Sequence, residues 1–550
     1  MEASEQQQSI IDYEGNVVII ASPGSGKTFV LSQKIKKCLS KIQNYQGVIA
    51  ISYTNKASNE LKKRSLSDNE DPKSSFFGTI DSFYLSDIIY PFGKHFLGNP
   101  KHKFEVKSFN TLKREYKEMC KWYKNYEDRK TIDIEKILNL KSLYLEGIIV
   151  IETIGILARV IFENSQACQK YIRAKYKYLF IDEYQDSGLE QHYLFLKIMN
   201  LGIIATAVGD LNQSIFGYDG RNAEYLREVK DNEKFKYFIL NVNHRCHSSI
   251  INYSNFLLNQ TKGILDVDDK RIFYIKVKGD ESAIAKWIDN KITSLQKKYE
   301  ISSKSQIAIL TKSNKKAEII SQLLQTPNRV LQSNEIDIDI NPWSIIFSNL
   351  LLFLYNKKNK FIDIVELFKP YDNFKNYELK KLISSKKNIE LIFSKTPVNF
   401  DLLLIEFVKI AGIISPDSYS NKSIELLSKV FQNQNFLRNY LPINENEVNI
   451  LTLHKSKGLE YEAIIHLDLY KFILPKKEYT AFDSFEYIQD LNLHYVGITR
   501  AKKICILLGS TQRTYYNGQI SDCLESEFIT KFAISELRFD PNDYKKIFNV

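Results

Sequence analysis

The sequence predicts an α/β protein in which helices flank parallel sheets, arranged as two tandem lobes with a helical insertion in each. Three observations indicate this fold. The apolar run Val17–Ile20 is typical of a buried parallel strand, and a glycine-rich loop and a helical pattern follow it. Short apolar runs that end in polar residues then recur in both halves of the chain. Long helical patterns replace them over residues 85–175, the first insertion, and residues 345–441, the second insertion.

Length and composition narrow the class of protein. A chain of 550 residues is too long for a single core, and 44% apolar with 26% charged residues is ordinary for a soluble globular protein. The net charge of +11 favours a polyanionic partner. The six cysteines form no CxxC pair, so no zinc site or iron–sulfur cluster is indicated. The longest apolar stretch, 147–162, contains two charged residues and is too short to span a bilayer, so we expect a buried helix there, no membrane partner and a cytoplasmic protein.

The loop after the first strand has the composition of a phosphate-binding loop. It consists of Ala21, Ser22, Pro23, Gly24, Ser25, Gly26, Lys27 and Thr28. The glycines allow backbone N–H groups to point at phosphate oxygens, Lys27 can reach the outer phosphates, and the Thr28 hydroxyl can ligate magnesium. Ala21 stands where the usual pattern has glycine, but the strand before the loop and the helix after it support a nucleotide site.

An acidic pair, Asp182 and Glu183, directly follows the apolar run 178–181. A carboxylate at the end of a buried strand can hold magnesium through water, and its neighbour can accept a proton from an attacking water. The pair alone is a weak signal. Together with the glycine-rich loop it predicts nucleotide hydrolysis.

Other polar residues follow apolar runs, where the ligands of parallel sheets collect. They lie in the segments 53–56, 79–83, 209–218, 243–245, 452–460 and 499–501. Near the amino terminus, the amides of Gln6, Gln7 and Gln8 could contact an adenine edge or could simply form a polar terminus. In the first insertion, the basic and aromatic segment 113–130 suits either a single nucleic-acid strand or an amphipathic helix with a solvated face.

In this order, the segments from Gln6 to Ala501 resemble the motifs of superfamily 1 helicases of the UvrD/Rep type. Within that group, the compact length and the segments 77–83 and 89–92 resemble the helicase-like subunits, of the GajB type, of Gabija antiphage defence systems. The resemblance implies two RecA-like P-loop domains. It divides the chain into domain 1A (1–84 and 176–260), insertion 1B (85–175), domain 2A (261–344 and 442–550) and insertion 2B (345–441).

The resemblance also implies roles for individual residues, with ATP and Mg²⁺ as cofactors. Gln6 would read adenine, His244 would stack on it where the family usually has tyrosine, and Glu460 would contact the ribose. The implied catalytic residues are Glu183, Gln213, Arg245 and Arg500; the ATP-binding residues are Gln6, Ala21, Ser22, Pro23, Gly24, Ser25, Gly26, Lys27, Thr28, His244 and Glu460; the magnesium ligands are Thr28 and Asp182; and the DNA-binding residues are Tyr53, Phe216, Tyr218 and His454.

Three further residues depart from the family pattern. Phe29 replaces an arginine that contacts the base, Asp81 replaces a histidine, and Asp219 replaces an arginine near the DNA. An anion beside a DNA backbone weakens binding. The second insertion is also shorter than in the larger helicases, so the sequence supports ATP hydrolysis more strongly than strand separation.

The function implied by the resemblance is that of an ATP-dependent DNA helicase or translocase subunit with 3′–5′ polarity. We expect it to act on DNA together with an ATPase-nuclease subunit of the OLD family, GajA-like, in antiviral defence, because only about forty residues follow the last apolar strand and they are too few for a nuclease domain. Two alternatives are a stand-alone UvrD/Rep-like repair helicase and a non-unwinding regulatory subunit whose nucleotide state controls a nuclease.

Overall fold

The computed structural model describes residues 3–66, 71–124, 131–217, 220–260, 264–267, 269–332, 334–356, 360–368, 371, 374–477, 484–515 and 518–540. The strands are β1 Val17–Ala21, β2 Gly47–Ile51, β3 Phe76–Gly78, β4 Glu105–Lys107, β5 Ile148–Val150, β6 Tyr176–Ile181, β7 Ile204–Gly209, β8 Lys236–Leu240, β9 Ile272–Val277, β10 Ile307–Thr311, β11 Asn328–Val330, β12 Val448–Thr452, β13 Tyr461–His466, β14 Ala501–Ser510, β15 Gln512–Thr514 and β16 Ile520–Asp522.

The predicted fold class is confirmed, because two six-stranded parallel sheets dominate the structure. The first has the order β3-β2-β6-β7-β1-β8 and the second has the order β11-β12-β10-β13-β14-β9. We call each sheet with its flanking helices a lobe. Since all strands of a sheet run the same way, the loops after β1, β6 and β7 collect at one edge of the first sheet.

Helices cover both faces of each sheet. The α-helices are Glu5–Asp12, Lys27–Lys41, Asn55–Ser65, Ile80–Phe83, Tyr90–Leu97, Arg114–Met119, Ile134–Leu145, Ile154–Asn164, Gln166–Lys175, Leu189–Asn200, Glu224–Asp231, Ser248–Leu257, Glu281–Lys298, Asn314–Leu323, Glu335–Ile338, Pro342–Asn356, Phe361–Val365, Asn376–Phe393, Phe400–Ile414, Asn421–Gln432, Gln434–Arg438, Leu453–Ser456 and Phe485–Ile498. A π-helix spans Tyr84–Ile89. The 3₁₀ turns are Phe109–Thr111, Lys121–Lys124, Ile151–Thr153, Tyr184–Asp186, Leu211–Gln213, Lys304–Gln306, Pro416–Ser418, Glu527–Ile529 and Lys531–Leu537.

The cores follow from the apolar runs of the sequence. One face of the first sheet packs against the helix Lys27–Lys41, and the apolar cluster on its other face continues into the first insertion. The second sheet also has an apolar cluster on each face. In the second insertion, Phe347, Leu350, Phe407 and Leu427 are completely buried in a separate core. No helix of the described ranges is both long and apolar enough to cross a membrane.

The stretch 147–162 differs from the single buried helix that the sequence predicts. Ile148–Val150 forms β5, which pairs in parallel with β4, a 3₁₀ turn follows at Ile151–Thr153, and the α-helix begins only at Ile154. Gly147 has a positive φ of 75° and ends the preceding helical segment. The β-branched side chains of Ile148, Ile149 and Val150 then favour an extended backbone. The helix prediction was therefore wrong for the beginning of this stretch.

Candidate active site between the two sheets

The glycine-rich loop connects β1 to the helix Lys27–Lys41. Gly24 and Gly26 have positive φ angles of 70° and 85°, which side chains rarely adopt. A Cβ atom on Gly24 would also lie 2.5 Å from Asn243 Oδ1, and one on Gly26 would lie 2.7 Å from Gln7 Nε2. Both glycines are therefore needed for conformation and for space. Because Gly26 is the helix N-cap and has no side chain to cap the first turn, the N–H groups there suit a phosphate.

Lys27 and the acidic pair meet at the edge of the first sheet. Lys27 Nζ lies 3.5 Å from Glu183 Oε1. Burial raises the pKa of Asp182 to about 6, and the neighbouring Glu183 charge contributes. Burial also tends to raise the pKa of Glu183, but Lys27, Lys457 and a hydrogen bond from Gln185 bring it down to about 2. Glu183 is therefore ionised at neutral pH, as a proton acceptor must be.

The residues around this pair suit a magnesium ion. Thr28, in the first turn of the loop's helix, and Asp182 offer oxygen donors, which Mg²⁺ prefers. Among the described residues, no three His, Cys, Asp or Glu side chains converge as a metal site. A site with two protein oxygen donors, here Thr28 and Asp182, is typical of Mg²⁺, because water and phosphate oxygens complete the coordination shell of that ion.

Gln213 connects the first lobe to Arg500 of the second. Gln213 Nε2 donates to Asp210 Oδ2 at 2.6 Å, and Gln213 Oε1 accepts from Arg500 Nη2 at 3.0 Å. Both Gln213 and Arg500 are only 2% exposed. Burial, with the charge of Arg245, lowers the pKa of Arg500 to about 10, so the guanidinium stays protonated at neutral pH. A cation thus stands in the cleft between the lobes.

A second contact between the lobes joins Arg245 and Glu460. Arg245 Nη2 lies 2.5 Å from Glu460 Oε1, and Lys502 Nζ lies 3.5 Å from Glu460 Oε2. The neighbouring His244 donates its backbone N–H to Gly24 O at 2.9 Å. The structure therefore brings His244 and Arg245 to the glycine-rich loop and pairs Arg245 with Glu460 of the other lobe.

Comparison with known proteins identifies the family. The sequence profile of the UvrD/REP helicase N-terminal domain matches residues 3–146 and 92–234, and that of the UvrD-like helicase C-terminal domain matches residues 354–511. The chain belongs to the UvrD/Rep helicase family. Its two parallel sheets correspond to the two RecA-like domains, and the protein is an ATP-hydrolysing DNA helicase.

Individual relatives of this UvrD/Rep helicase cover nearly its whole length. It is 27% identical over 519 residues to the Gabija protein GajB of Bacillus cereus strain VD045, covering 93% of this chain and 96% of that protein. It is 25% identical over 663 residues to the ATP-dependent DNA helicase Rep of Buchnera aphidicola subsp. Acyrthosiphon pisum, covering 99% of each. It is 21% identical to the ATP-dependent DNA helicase PcrA of Staphylococcus aureus strain Mu50, covering 97% of this chain and 86% of that protein.

At the amino terminus of the helicase, the structure distinguishes the glutamines. Gln7 is 6% exposed; its Oε1 accepts from the Ser4 N–H, and its Nε2 donates to Ser25 O, both at 3.1 Å. Gln7 thus supports the glycine-rich loop, while Gln6 is half-buried and its contact with adenine stays a prediction. The spacing Ser4-x-x-Gln7 is a capping-box pattern, which accounts for the hydrogen bond with Ser4 but not for the one with Ser25.

Sequence reasoning also missed Lys457. Its Nζ donates to the Asp186 carboxylate and to Gln213 O, and lies 3.7 Å from Glu183 Oε2. Gln185 was missed as well; it donates to Glu183 and accepts the Asp210 N–H at 2.9 Å. Both residues lie within segments that follow strands, which was the available signal, but nothing in their spacing predicts these partners.

Three of the four predicted DNA residues lie together. The rings of Tyr53 and Phe216 stack with centroids 4.8 Å apart, and the His454 ring lies 6.1 Å from Phe216. Two cations adjoin them: Arg221 lies 4.7 Å from the centre of the Tyr53 ring, and Lys457 lies 5.3 Å from that of Phe216. The fourth predicted residue, Tyr218, and the departure Asp219 lie outside the described residues. Aromatic rings beside cations suit single-stranded DNA.

Proposed function

We propose that this helicase hydrolyses ATP in the cleft between its lobes, with Glu183 as the general base. The observation that carries this proposal is the convergence of Lys27, Glu183, Gln213 and Arg500 from both lobes through the contacts Lys27–Glu183 and Gln213–Arg500. Glu183 would take the proton of the attacking water, and Gln213 would orient that water. Arg500 would stabilise the charge that develops on the transferred phosphoryl group.

The remaining ATP-site residues would hold the nucleotide. Thr28 and Asp182 would hold Mg²⁺, which neutralises phosphate charge when bound. Gln6 would read adenine and His244 would stack on it. Arg245 and Glu460 are partners of each other in this structure, so a bound triphosphate and its ribose would have to replace or share that ion pair.

DNA would bind across both lobes at the aromatic group of Tyr53, Phe216 and His454. Because Tyr53 and Phe216 stack directly on each other, a base can lie between them only when the two rings part. Phe216 packs against the core of the second lobe beside His454, whereas Tyr53 belongs to the first lobe, so the distance between the lobes would control whether the Tyr53 and Phe216 rings part. Lobe closure in the ATP cycle would thereby change how the strand is held.

We further propose that the helicase acts in antiviral defence with an OLD-family ATPase-nuclease. The alignment with Gabija GajB, which spans 519 positions and nearly all of both chains, supports this proposal. The alignment with Rep extends over 663 positions, more than the 550 residues of this chain, so Rep has segments that are absent here. The insertions 85–175 and 345–441 are the proposed docking surfaces, because no residue of the ATP site lies in them.

Two experiments test these proposals. The first measures ATP hydrolysis and strand displacement by the purified chain with and without Mg²⁺ and DNA, using Lys27→Ala as the inactive control. We expect hydrolysis that needs Mg²⁺ and is stimulated by DNA, and hydrolysis that is indifferent to either one contradicts the proposed motor function. The second co-expresses the chain with the product of the neighbouring gene and separates the products by size. If the chain elutes alone and unwinds duplex DNA vigorously, the result favours a stand-alone repair helicase. If ATP binding to the chain changes the activity of the nuclease and no unwinding is seen, the result favours a regulatory subunit.

A further inference from the structure

The loop Gln213–Gly217 follows β7 of the first lobe but packs inside the second. Ile215 is only 2% exposed, and it belongs to the apolar cluster that Leu453 and Tyr495 form on the second sheet. Lys457 of the second lobe donates to the carbonyl of Gln213. The loop is therefore covalently part of one lobe and held by the core of the other.

One helix of the second lobe, Phe485–Ile498, holds the backbone of this loop. Asn492 Nδ2 donates to Ser214 O at 3.1 Å, and Gln489 Oε1 accepts the Gly217 N–H at 3.0 Å. The two side chains are three residues apart, so they share one face of the helix. Asn492 is 3% exposed, which makes its hydrogen bond costly to lose.

Gly217 allows this helix to approach closely. A Cβ atom at Gly217 would lie 2.4 Å from the Phe485 ring and 3.0 Å from Gln489 Cδ. A side chain there would have to displace the Phe485 ring and the Gln489 amide or push the loop away from the helix. Glycine thus leaves room for the hydrogen bond between Gly217 and Gln489.

The two ends of the loop face two different ligand sites. Gln213 contacts Arg500 in the ATP cleft, and Phe216, three residues later, stacks on Tyr53. We infer that Gln489 and Asn492 are positioning residues that couple the nucleotide state of the cleft to the base-stacking position of Phe216. Each acts through the loop backbone, Gln489 at the Gly217 N–H and Asn492 at the Ser214 carbonyl. The inference rests on the proposed ATP hydrolysis in the cleft and the proposed DNA binding at Phe216.

The test compares two substitutions at one position. Gln489→Met keeps the length of the side chain and removes the oxygen acceptor, whereas Gln489→Glu keeps an acceptor. Two quantities are measured for the full chain: ATP turnover with and without oligothymidylate, and the fluorescence of an oligothymidylate that carries one 2-aminopurine, which stacking quenches. Gln432→Met, on the exposed surface of the second insertion, is the matched control.

For Gln489→Met we expect DNA stimulation and 2-aminopurine quenching to fall about fivefold to tenfold, the size expected for one lost hydrogen bond. Turnover without DNA and the KM for ATP should stay unchanged, and Gln489→Glu should behave as the wild type. Asn492→Leu should reproduce the loss through the second hydrogen bond.

The outcomes separate this inference from the proposed function. A wild-type chain without DNA stimulation overturns the proposed function and this inference with it. Normal stimulation and quenching in Gln489→Met, beside a stimulated wild type, overturn the inference alone. Equal losses in Gln489→Met and Gln489→Glu, or a matching loss of turnover without DNA, also overturn it, because they indicate a merely structural role.

Discussion

Arg500 of the second lobe donates a hydrogen bond from Nη2 to Gln213 Oε1 of the first lobe over 3.0 Å. The rest of the guanidinium is also held, since Nε donates to Val496 O at 3.0 Å and Nη1 donates to Leu459 O at 3.4 Å. These hydrogen bonds offset part of the cost of burying the cation. The arginine therefore stands at the cleft in a fixed orientation, which suits a group that stabilises a transition state.

Replacing Arg500 by alanine should lower ATP turnover about a hundredfold or more, while nucleotide affinity changes only about threefold. The reason is that the guanidinium would act on charge that develops during the reaction. Steady-state turnover and the affinity for a fluorescent ATP analogue check this. Arg500→Lys, which keeps the charge, controls for the loss of a buried residue, and Arg438→Ala controls for arginine removal at the surface. Equal losses of affinity and turnover would show that the role is ground-state binding.

Glu183→Gln should retain ATP binding and lose about two or more decades of turnover, because an amide cannot accept the proton of the attacking water. Rapid-quench hydrolysis and the affinity for the fluorescent analogue measure the two effects separately. Glu318→Gln, an exposed carboxylate of the second lobe that accepts a hydrogen bond from Gln332, is the matched control. ATP turnover at the wild-type level in Glu183→Gln would show that Glu183 is not the general base.

Gln7→Leu should weaken ATP binding about fivefold to tenfold and leave kcat within about twofold, because it removes the hydrogen bond that supports Ser25 O in the phosphate-binding loop. Gln7→Leu should weaken the binding of ATP and the binding of GTP equally. Gln6→Leu should weaken the binding of ATP alone, because Gln6 would contact the adenine base. Gln8→Leu, at an exposed position, is the control. An ATP-selective loss in Gln7→Leu would assign the base contact to Gln7 instead.

Phe216→Ala should weaken binding of single-stranded oligothymidylate roughly tenfold, since stacking on one aromatic side chain contributes about 1–3 kcal/mol per base. Fluorescence anisotropy at several salt concentrations measures the loss. The slope of log affinity against log salt should stay unchanged, because no phosphate contact is removed. Phe216→Tyr keeps the stacking ring and should bind as the wild type does. A reduced slope in Phe216→Ala would mean that the substitution disturbs the neighbouring cations.

Much of the fold and of the ATP site could be predicted because their signals are local. The glycine-rich loop binds phosphate through consecutive backbone groups, and the glycines needed for its left-handed conformations are visible in the sequence. Apolar runs predicted the strands, and the polar residues after them predicted which edge of each sheet carries the site. The prediction of a single helix over 147–162 was wrong at its beginning because an apolar run of that composition suits both helix and strand.

The sequence by itself therefore determined the two parallel sheets, the phosphate-binding loop and the acidic pair. Only the tertiary structure decided that Lys457 neutralises Glu183 and Asp186, that Gln7 rather than Gln6 supports the loop, and that the Gln213–Gly217 loop lies in the core of the other lobe. The physical reason is that these contacts join residues far apart in the chain. Their geometry depends on how two lobes and a terminal helix pack, and no local spacing encodes that packing.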